Sequence, residues 1–308
     1  MNSFAHRLPD RALLSIKGPE ARDFLQAILT QNMRALSPDK ALYAALLTPQ
    51  GKMQFDFFLS EAEDGSIYLD CEAGQKADLL RRLMLYRLRS KAEITDRSED
   101  FDIWVLSSDV MADLFAKNNL QWPAVGEAAG AAAAFPQGVI YRDPRHQGIG
   151  LRAILAKNAE TPAPMDPSGQ SYEIRRLDLG LLDGSRDYLA DKTLALEANL
   201  DLLNGVDFTK GCYIGQELTA RTKHRGKIRK RLLPAIIKGG APATGTPIEK
   251  NGKAVGEIRS MKGIGPSPLS VSRIWITPIC WPMVALCRSS ILIGWTKSPD
   301  HHRIGPHI

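Results

Sequence analysis

The alternation of short strands and helices between residues 42 and 142 constrains the fold more than any other feature of the sequence. After a turn at residues 49–52, apolar side chains alternate from Met53 to Leu59, which predicts a strand with one buried face. Further strands are predicted at residues 12–16, 42–47, 66–71 and 101–106, and helices at residues 75–88 and 108–117. This order predicts an α+β fold.

The helix predicted at residues 75–88 is amphipathic and basic. Its apolar side chains are expected on one side and its arginines on the other, as in a helix that packs on a core and exposes a charged face. The apolar set is Leu79, Leu80, Leu83, Met84 and Leu88, and the basic set is Arg81, Arg82, Arg87 and Arg89.

Patterns in the second half predict helices at residues 172–179 and 194–203, the latter ending near Asn204-Gly205. Alanine-rich residues 128–134 are expected in a surface loop. From Gly226, strands and Gly/Pro turns predict a small β-barrel, with Asn251-Gly252 as a hairpin turn. After about Gly265 this pattern stops, so residues 266–308 are expected to be either an irregular extension or the product of a shifted reading frame.

Length and composition limit the class of protein. The 308 residues exceed most single cores and favour two or three packed subdomains. A hydrophobic fraction of 44% and a charged fraction of 24% are ordinary for a globular protein. The net charge of +6 fits an anionic small ligand, an acidic protein or RNA about equally well.

The cysteines and the N-terminal sequence bear on the compartment. Four cysteines without paired spacing predict neither a disulfide framework nor a zinc site. No apolar signal segment and no membrane-length apolar run are seen, so a cytoplasmic location is expected.

One cysteine stands in an unusual setting. Gly211 and Gly215 flank Cys212 and permit a tight turn that exposes the thiol. Residues 210–231 hold eight Lys or Arg residues and one acid, Glu217, so a thiol here is expected in a positive potential that favours the thiolate. The candidate cations are Lys210, Arg221 and Lys223, and Gln216 and Glu217 could hydrogen-bond backbone or a ligand.

Several roles for Cys212 stay open: nucleophile, metal ligand, mixed-disulfide partner or a small packed residue. No histidine stands in a protease-like signature, which weakens a Cys/His enzyme. One cysteine cannot hold an iron–sulfur cluster, which normally needs four ligands, so any cluster would be shared or transient. The basic run lacks interleaved aromatic residues, which disfavours a base-reading RNA surface.

The segment KGCYIGQE at residues 210–217, followed by Ala220-Arg221 and Arg225-Gly226, resembles the K-G-C-[FY]-x-G-Q-E signature of YgfZ proteins. These are folate-binding relatives of the glycine-cleavage T-protein. The resemblance covers about residues 10–262. It implies a three-part ring around a central folate channel, completed by a C-terminal β-barrel.

The resemblance implies a domain division and a function. Residues 1–45 with 138–228 would form a folate-channel domain, 46–137 a ferredoxin-like domain, and 229–265 the start of the barrel. The implied function is assembly or repair of iron–sulfur clusters in client enzymes, including radical enzymes that modify tRNA. Client enzymes and assembly factors would be the partners of a monomer that is an accessory factor rather than an enzyme, without direct nucleic-acid or membrane binding.

The resemblance also implies site residues. Cys212 is the signature cysteine, and Lys210, Gln216 and Glu217 accompany it. Tetrahydrofolate or a derivative is the implied cofactor. Its implied contacts are Tyr172 as an aromatic lining residue, Asp178 at the pterin, and Arg221, Arg225 and Lys227 around the charged tail, where charge-assisted hydrogen bonds to carboxylates are strong.

A second hypothesis from the same resemblance is a folate-dependent one-carbon transferase like the T-protein, in which Asp56 or Asp178 would position folate. The T-protein has paired acids in the strand after the turn, whereas Phe55-Asp56 leaves one. This difference favours the accessory factor.

Overall fold

The computed structural model describes residues 3–122, 128–159, 162, 166–226, 228, 230–238, 242–250, 252–262 and 271–276. The strands are β1 Ala5–Arg7, β2 Arg11–Lys17, β3 Leu42–Leu47, β4 Met53–Glu61, β5 Ile67–Glu72, β6 Glu93–Asp96, β7 Phe101–Leu106, β8 Ala132–Phe135, β9 Gly138–Arg142, β10 Leu151–Ala156, β11 Leu233–Lys238, β12 Pro247–Lys250, β13 Lys253–Lys262 and β14 Val271–Ile276. The helices are α1 Ala21–Ile28, α2 Lys76–Arg87, α3 Ser108–Lys117, α4 Gln170–Asp178 and α5 Gln216–His224.

Two five-stranded antiparallel sheets form the body of the protein. The first has the order β3-β4-β5-β2-β6, and the second has the order β1-β7-β10-β9-β8. Because side chains alternate between the faces of a strand, each sheet contributes to two cores. Leu14 and Phe57 of the first sheet pack with α1 and α2, whereas Leu13 and Phe58 face the central core.

The central core lies between the two sheets. It joins Tyr43 and Phe58 of the first sheet to Val105 and Ile154 of the second, together with Tyr172 of α4. The other face of the second sheet packs against α3. The layers therefore run helix, sheet, sheet, helix, and the space between the sheets is the place where this architecture could hold an internal site.

A third, smaller sheet with the order β11-β14-β13-β12 forms the barrel region. Gly252, with φ of +73°, lies in the turn between β12 and β13, as the hairpin signal predicts. Arg176 of α4 ties the barrel to the body, since its guanidinium donates to Asp187 Oδ2 (2.7 Å) and to Ser260 Oγ of β13 (3.0 Å). Strand β14 begins inside the region predicted to be atypical, and residues 277–308 lie outside the described part.

Two secondary-structure predictions are wrong. Residues 194–203 form a series of hydrogen-bonded turns in place of a helix, because Asn199 takes a left-handed φ of +60° and donates through its side chain to the carbonyl of Leu232. Three of the alanines expected in a surface loop belong to strand β8, which pairs with β9, and Ala132 is buried.

Helix α2 matches its predicted position but not its predicted packing. Leu79 and Leu83 are buried, while Met84 and Leu88 are exposed by 43% and 82%. The expected apolar side of the helix therefore continues onto the surface at its C-terminal end.

The strand pairing crosses the predicted domain boundary at residues 45 and 46. Strand β2, which precedes this boundary, pairs with β5 and β6, which follow it. Strand β7 likewise pairs with β10 beyond the boundary at residues 137 and 138. The division into domains stays a prediction.

Candidate functional site

Cys212 is an exposed free thiol on a loop between the central turns and α5. Asp207 shapes the start of this loop: its Oδ1 accepts from Thr209 N (2.7 Å), Thr209 Oγ1 (2.7 Å) and Lys210 N (3.2 Å). The Asp207 turn fixes the backbone just before the cysteine by the side-chain hydrogen bonding typical of such turns.

Lys210 fastens this loop to the body from inside. The residue is buried, and its ammonium donates to the carbonyls of Gln26 (2.7 Å), Leu29 (2.6 Å) and Gln31 (2.9 Å) near the end of α1. Burial lowers the pKa of Lys210 to about 8. Lys210 thus satisfies carbonyls that a helix end leaves unpaired, a structural role that differs from the predicted activation of the thiol.

The C-terminal side of the loop rests on the turn between β3 and β4. Gly215 has φ of +82°, and a side chain there would place Cβ 2.5 Å from the carbonyl oxygen of Thr48 and 3.1 Å from Cα of Gly51. Only glycine permits this backbone-to-backbone approach. Cys212 is therefore held between two fixed points, Lys210 and Gly215.

The residues after Gly215 form α5. Gln216 is its first residue, and Glu217 pairs with Arg221 at 2.6 Å, four residues further on. Lys223 lies 3.4 Å from Asp201 and 5.3 Å from the ring centre of Phe208. Two of the cations predicted to act on the thiol therefore have acidic partners.

A network of buried charges occupies the space between the two sheets. Asp70 of β5 accepts from Arg11 Nε (2.6 Å) and from Arg152 Nη2 (2.6 Å), and Arg152 is 2% exposed. Burial would disfavour the charged form, but the nearby Asp70 carboxylate helps to raise the pKa of both arginines. Arg152 also stacks on Phe58, 4.0 Å from the ring centre.

A second ion pair completes this interior. Arg145 donates to the Asp143 carboxylate through Nε (3.0 Å) and Nη2 (2.6 Å). Its guanidinium also lies 4.7 Å from the centre of the Phe58 ring. Its Nη2 also donates to the hydroxyl of Tyr172 (3.3 Å). Arg145 holds the pKa of Asp143 below its ordinary value despite burial of that carboxyl.

Asp56 is enclosed by two tyrosines. The hydroxyls of Tyr43 and Tyr188 donate to its two carboxylate oxygens, each at 2.9 Å, and all three residues are buried. Burial raises the pKa of Asp56. The single acid of the predicted transferase pattern is thus part of the packed interior.

The predicted folate residues do not converge among the described residues. Tyr172 is buried against Arg145, Asp178 is exposed at the end of α4, and Arg221 and Arg225 lie on exposed α5 or just beyond it. Lys227 lies outside the described residues. Tetrahydrofolate binding by this set stays a prediction, and no chemical step is derived through it.

Sequence reasoning missed Asp70, Arg152 and Tyr188. The signal that could have found the first two is a charged residue inside an otherwise apolar strand, as in β5 and β10, because such a charge is tolerated only when paired. In the described residues, no group of three or more His, Cys, Asp and Glu side chains could hold a metal ion. Within the same residues, no helix is long and apolar enough to cross a membrane.

Comparisons with known proteins agree with this architecture. Residues 12–125 match the GCVT N-terminal domain family, and residues 229–264 match the CAF17 C-terminal beta-barrel domain family. The crystal structure of glycine cleavage system aminomethyltransferase T from Bartonella henselae superposes with a TM-score of 0.67 at 16% identity, over 91% of this chain and 79% of that one. The predicted α+β fold resembling the T-protein is confirmed.

Curated relatives are named as iron–sulfur cluster assembly factors. The human mitochondrial factor IBA57 is 34% identical over 297 residues, which cover 90% of this chain and 79% of the human protein. The mitochondrial IBA57 homolog of Neurospora crassa is 34% identical over 255 residues, and the match spans 54% of its length and 77% of this chain.

These relatives correct one prediction and refine another. The predicted cytoplasmic location is wrong by this comparison, since the human, mouse and Neurospora relatives are all named as mitochondrial. The predicted aminomethyltransferase superfamily is confirmed, although these relatives bear the name IBA57 and not YgfZ. By its sequence and its fold, the chain belongs to the family of the iron–sulfur cluster assembly factor IBA57.

Proposed function

We propose that this protein is an accessory factor for the assembly or repair of iron–sulfur clusters, and that Cys212 contacts the cluster or the client as a thiolate. The observation that carries the proposal is the setting of Cys212: a free, exposed thiol on a loop fixed at both ends. The IBA57 relatives support the same role.

The chemistry of a single thiolate defines what the partner must supply. A cluster is normally held by four ligands, whereas the described residues around Cys212 form no metal-binding group. A second protein would therefore provide the remaining ligands. Cys212 would lose its proton on ligation, since the thiolate is the metal ligand.

The finer parts of the proposal rest on the resemblance alone. They are clients among the radical enzymes that modify tRNA, assembly factors as partners, a monomeric state and tetrahydrofolate binding. Anaerobic fluorescence titration with tetrahydrofolate tests the last of these. Saturable binding that Asp178→Asn and Arg225→Ala both weaken would support the predicted folate site. The exposed control Arg34→Ala should bind like wild type.

The transferase alternative is less well supported. Its positioning acid would be Asp56 or Asp178. Asp178 is exposed at the end of α4, and both carboxylate oxygens of Asp56 already accept from tyrosine hydroxyls in the packed interior. A folate-dependent transferase needs its acid to face the bound substrate. The enclosed position of Asp56 therefore favours the accessory factor.

Complementation separates the two functions. A strain lacking the gene receives wild type, Cys212→Ala or the control Cys71→Ala, and iron–sulfur enzyme activity and glycine cleavage are assayed side by side. We expect Cys212→Ala to fail in restoring the iron–sulfur enzymes and Cys71→Ala to restore them. Full restoration by Cys212→Ala would refute the proposed mechanism, and glycine cleavage that depends on the protein would establish the transferase.

A further inference from the structure

The C-terminal half of α2 exposes an apolar surface that the fold does not use. Met84, Leu85 and Leu88 are exposed by 43%, 61% and 82%, and we call these three residues the α2 patch. Single exposed leucines are common on protein surfaces, whereas a contiguous group marks an interaction site more often. Met84 and Leu85 lie in the last turn of α2, and Leu88 is the first residue after it, so the three follow closely in the chain.

Leu88 has an unusual backbone as well as an exposed side chain. Its φ is +46°, a left-handed value that a helix end usually assigns to glycine. A bulky residue in this region is an outlier. Glycine at position 88 would relieve both the backbone strain and the exposure of apolar surface.

The surroundings of the patch are basic. Residues 78–93 contain five basic residues, Arg81, Arg82, Arg87, Arg89 and Lys91, against two acids, Glu93 and Asp78, the latter paired with Arg81 at 2.9 Å. Some of these side chains are held in place: Arg82 lies over the ring of Tyr86 at 6.0 Å, and Arg87 Nη1 donates to the carbonyl of Ala92 (3.1 Å). The patch therefore has a positive rim of partly fixed geometry.

Concave surfaces lie on both sides of the patch. A groove of about 440 Å³ is lined by Leu88, Arg87 and Arg89. A larger groove of about 720 Å³ is lined by Leu85, Arg81 and Arg82 and reaches Phe55 of β4 and Asp191. Grooves beside exposed leucines suit protruding apolar side chains of a partner, as in helix-in-groove recognition.

We propose that the α2 patch is a docking surface for a partner protein that presents an acidic amphipathic helix, with its apolar side chains in the two grooves and its carboxylates on the arginine rim. Charge complementarity of this kind sets the orientation and the association rate of partners. The basic rim selects the sign of the partner's charge, and the leucines supply the apolar area.

The larger groove lies near the Cys212 loop along the same strand. Gln54 and Phe55 line the groove, while Gly51, at the turn before β4, contacts Gly215 of the loop. Three residues of strand span about 10 Å. The docking surface thus deepens the proposed function, on which its assignment to a cluster-bearing partner rests.

A membrane surface fits these observations less well. A basic amphipathic helix binds anionic lipid when its apolar face can enter the bilayer. Here the exposed leucines line two concave grooves, which suit the protruding side chains of a helix better than the flat surface of a bilayer. The membrane is therefore an alternative outcome of the test.

A defined probe tests the docking surface. The probe is a fluorescent synthetic helical peptide with leucines at i and i+4 between glutamates, and a matched peptide carries lysines in place of the glutamates. We expect saturable, salt-sensitive binding of the acidic peptide to wild type, and a loss of affinity of at least about tenfold in Leu85→Ser/Leu88→Ser, as for central residues of an interface. Leu202→Ser, which alters an exposed leucine elsewhere, should bind like wild type.

Three results would overturn the docking surface: no binding of the acidic peptide, equal binding of the lysine peptide, or unchanged affinity in the double variant. Sedimentation with vesicles of phosphatidylcholine and phosphatidylglycerol that the double variant abolishes would assign the patch to membranes instead. Because all three altered leucines are exposed, the variants are expected to retain the wild-type melting temperature, which is measured alongside.

The same variants separate this inference from the proposed function. If Cys212→Ala binds the peptide normally but fails to restore iron–sulfur enzymes, both the docking surface and the role of Cys212 are supported. If Cys212→Ala restores them fully, the proposed function fails while the peptide result stands. If the double variant loses the peptide but restores these enzymes fully, the docking surface does not serve cluster partners.

Discussion

The interior between the two sheets and the Cys212 loop use charge in opposite ways. In the interior, Arg11 and Arg152 share Asp70, Arg145 grips Asp143, and these groups are buried. On the loop, the ammonium of Lys210 holds the backbone, and the thiol of Cys212 is exposed and free. The charged groups of the interior pair with one another, whereas the thiol of the loop is accessible to other molecules.

This difference indicates where a family with a transferase fold can carry another activity. The space between the sheets, where the architecture could hold an internal site, contains ion pairs and Asp56 between two tyrosines. The thiol of Cys212 lies outside this space, on a loop that the same body supports. A change of function in such a fold is thus compatible with keeping the scaffold and moving the chemistry to its surface.

The largest effect is expected for Asp70→Ala. Removing this carboxylate leaves Arg11 and Arg152 without their acidic partner in the interior, and breaking a buried pair in this way costs roughly 3–5 kcal/mol. Urea denaturation measures the change in the free energy of unfolding. Lys17→Met, which breaks an exposed pair with Asp64, should cost no more than about 1 kcal/mol. Equal losses of stability in the two variants would contradict the larger contribution expected of the buried pair.

A smaller loss is expected for Lys210→Met. Three carbonyls would lose their donor, of which that of Leu29 is buried and those of Gln26 and Gln31 are partly buried, and an unsatisfied buried group costs roughly 1–3 kcal/mol. We expect lower stability and faster proteolysis within residues 207–215. The control is Lys223→Met, which removes an exposed ammonium from an Asp201 that keeps its second partner, Arg231. A Lys210→Met protein as stable and as resistant as this control would contradict the anchoring role.

The pH dependence of this anchor has a definite sign. Burial lowers the pKa of Lys210 to about 8 from the ordinary value of 10.5, so the unfolded chain binds that proton more tightly. Stability linked to this group therefore rises as the pH increases from 8 to 10.5 and is lost as the pH falls through 8. Wild type should gain stability relative to Lys210→Met over that range in urea denaturation, and a difference that is constant with pH would argue against the lowered pKa.

The smallest effect on stability is expected for Cys212→Ala, within about 0.5 kcal/mol, because the side chain is exposed. Its chemical reactivity should nevertheless exceed that of the other described cysteine. Burial raises the pKa of Cys71 to about 12, so iodoacetamide near neutral pH should label Cys212 first. Peptide mapping by mass spectrometry measures the labelling rates of the two cysteines. Faster labelling of Cys71 would contradict the buried position of Cys71 and the exposed position of Cys212.

Much of the fold could be predicted from local sequence pattern, because alternation in β4 and helical spacing in α3 are properties of short segments. The turns at residues 194–203 could not, since a left-handed Asn199 and its bond to the distant Leu232 depend on tertiary contacts. The exposed thiol was foreseen from its flanking glycines. The three carbonyls bound by Lys210 lie about 180 residues earlier in the chain, and sequence spacing does not reveal such a contact.

The contact of Gly215 with Thr48 and Gly51 limits how the protein can work with a partner. Two backbones that touch directly leave little room for the loop to swing, so Cys212 moves with the sheet on which its loop rests. The position of the thiol relative to a partner therefore depends on how the whole molecule is oriented. Selectivity for a partner would then be decided by the angle of approach before any bond to sulfur forms.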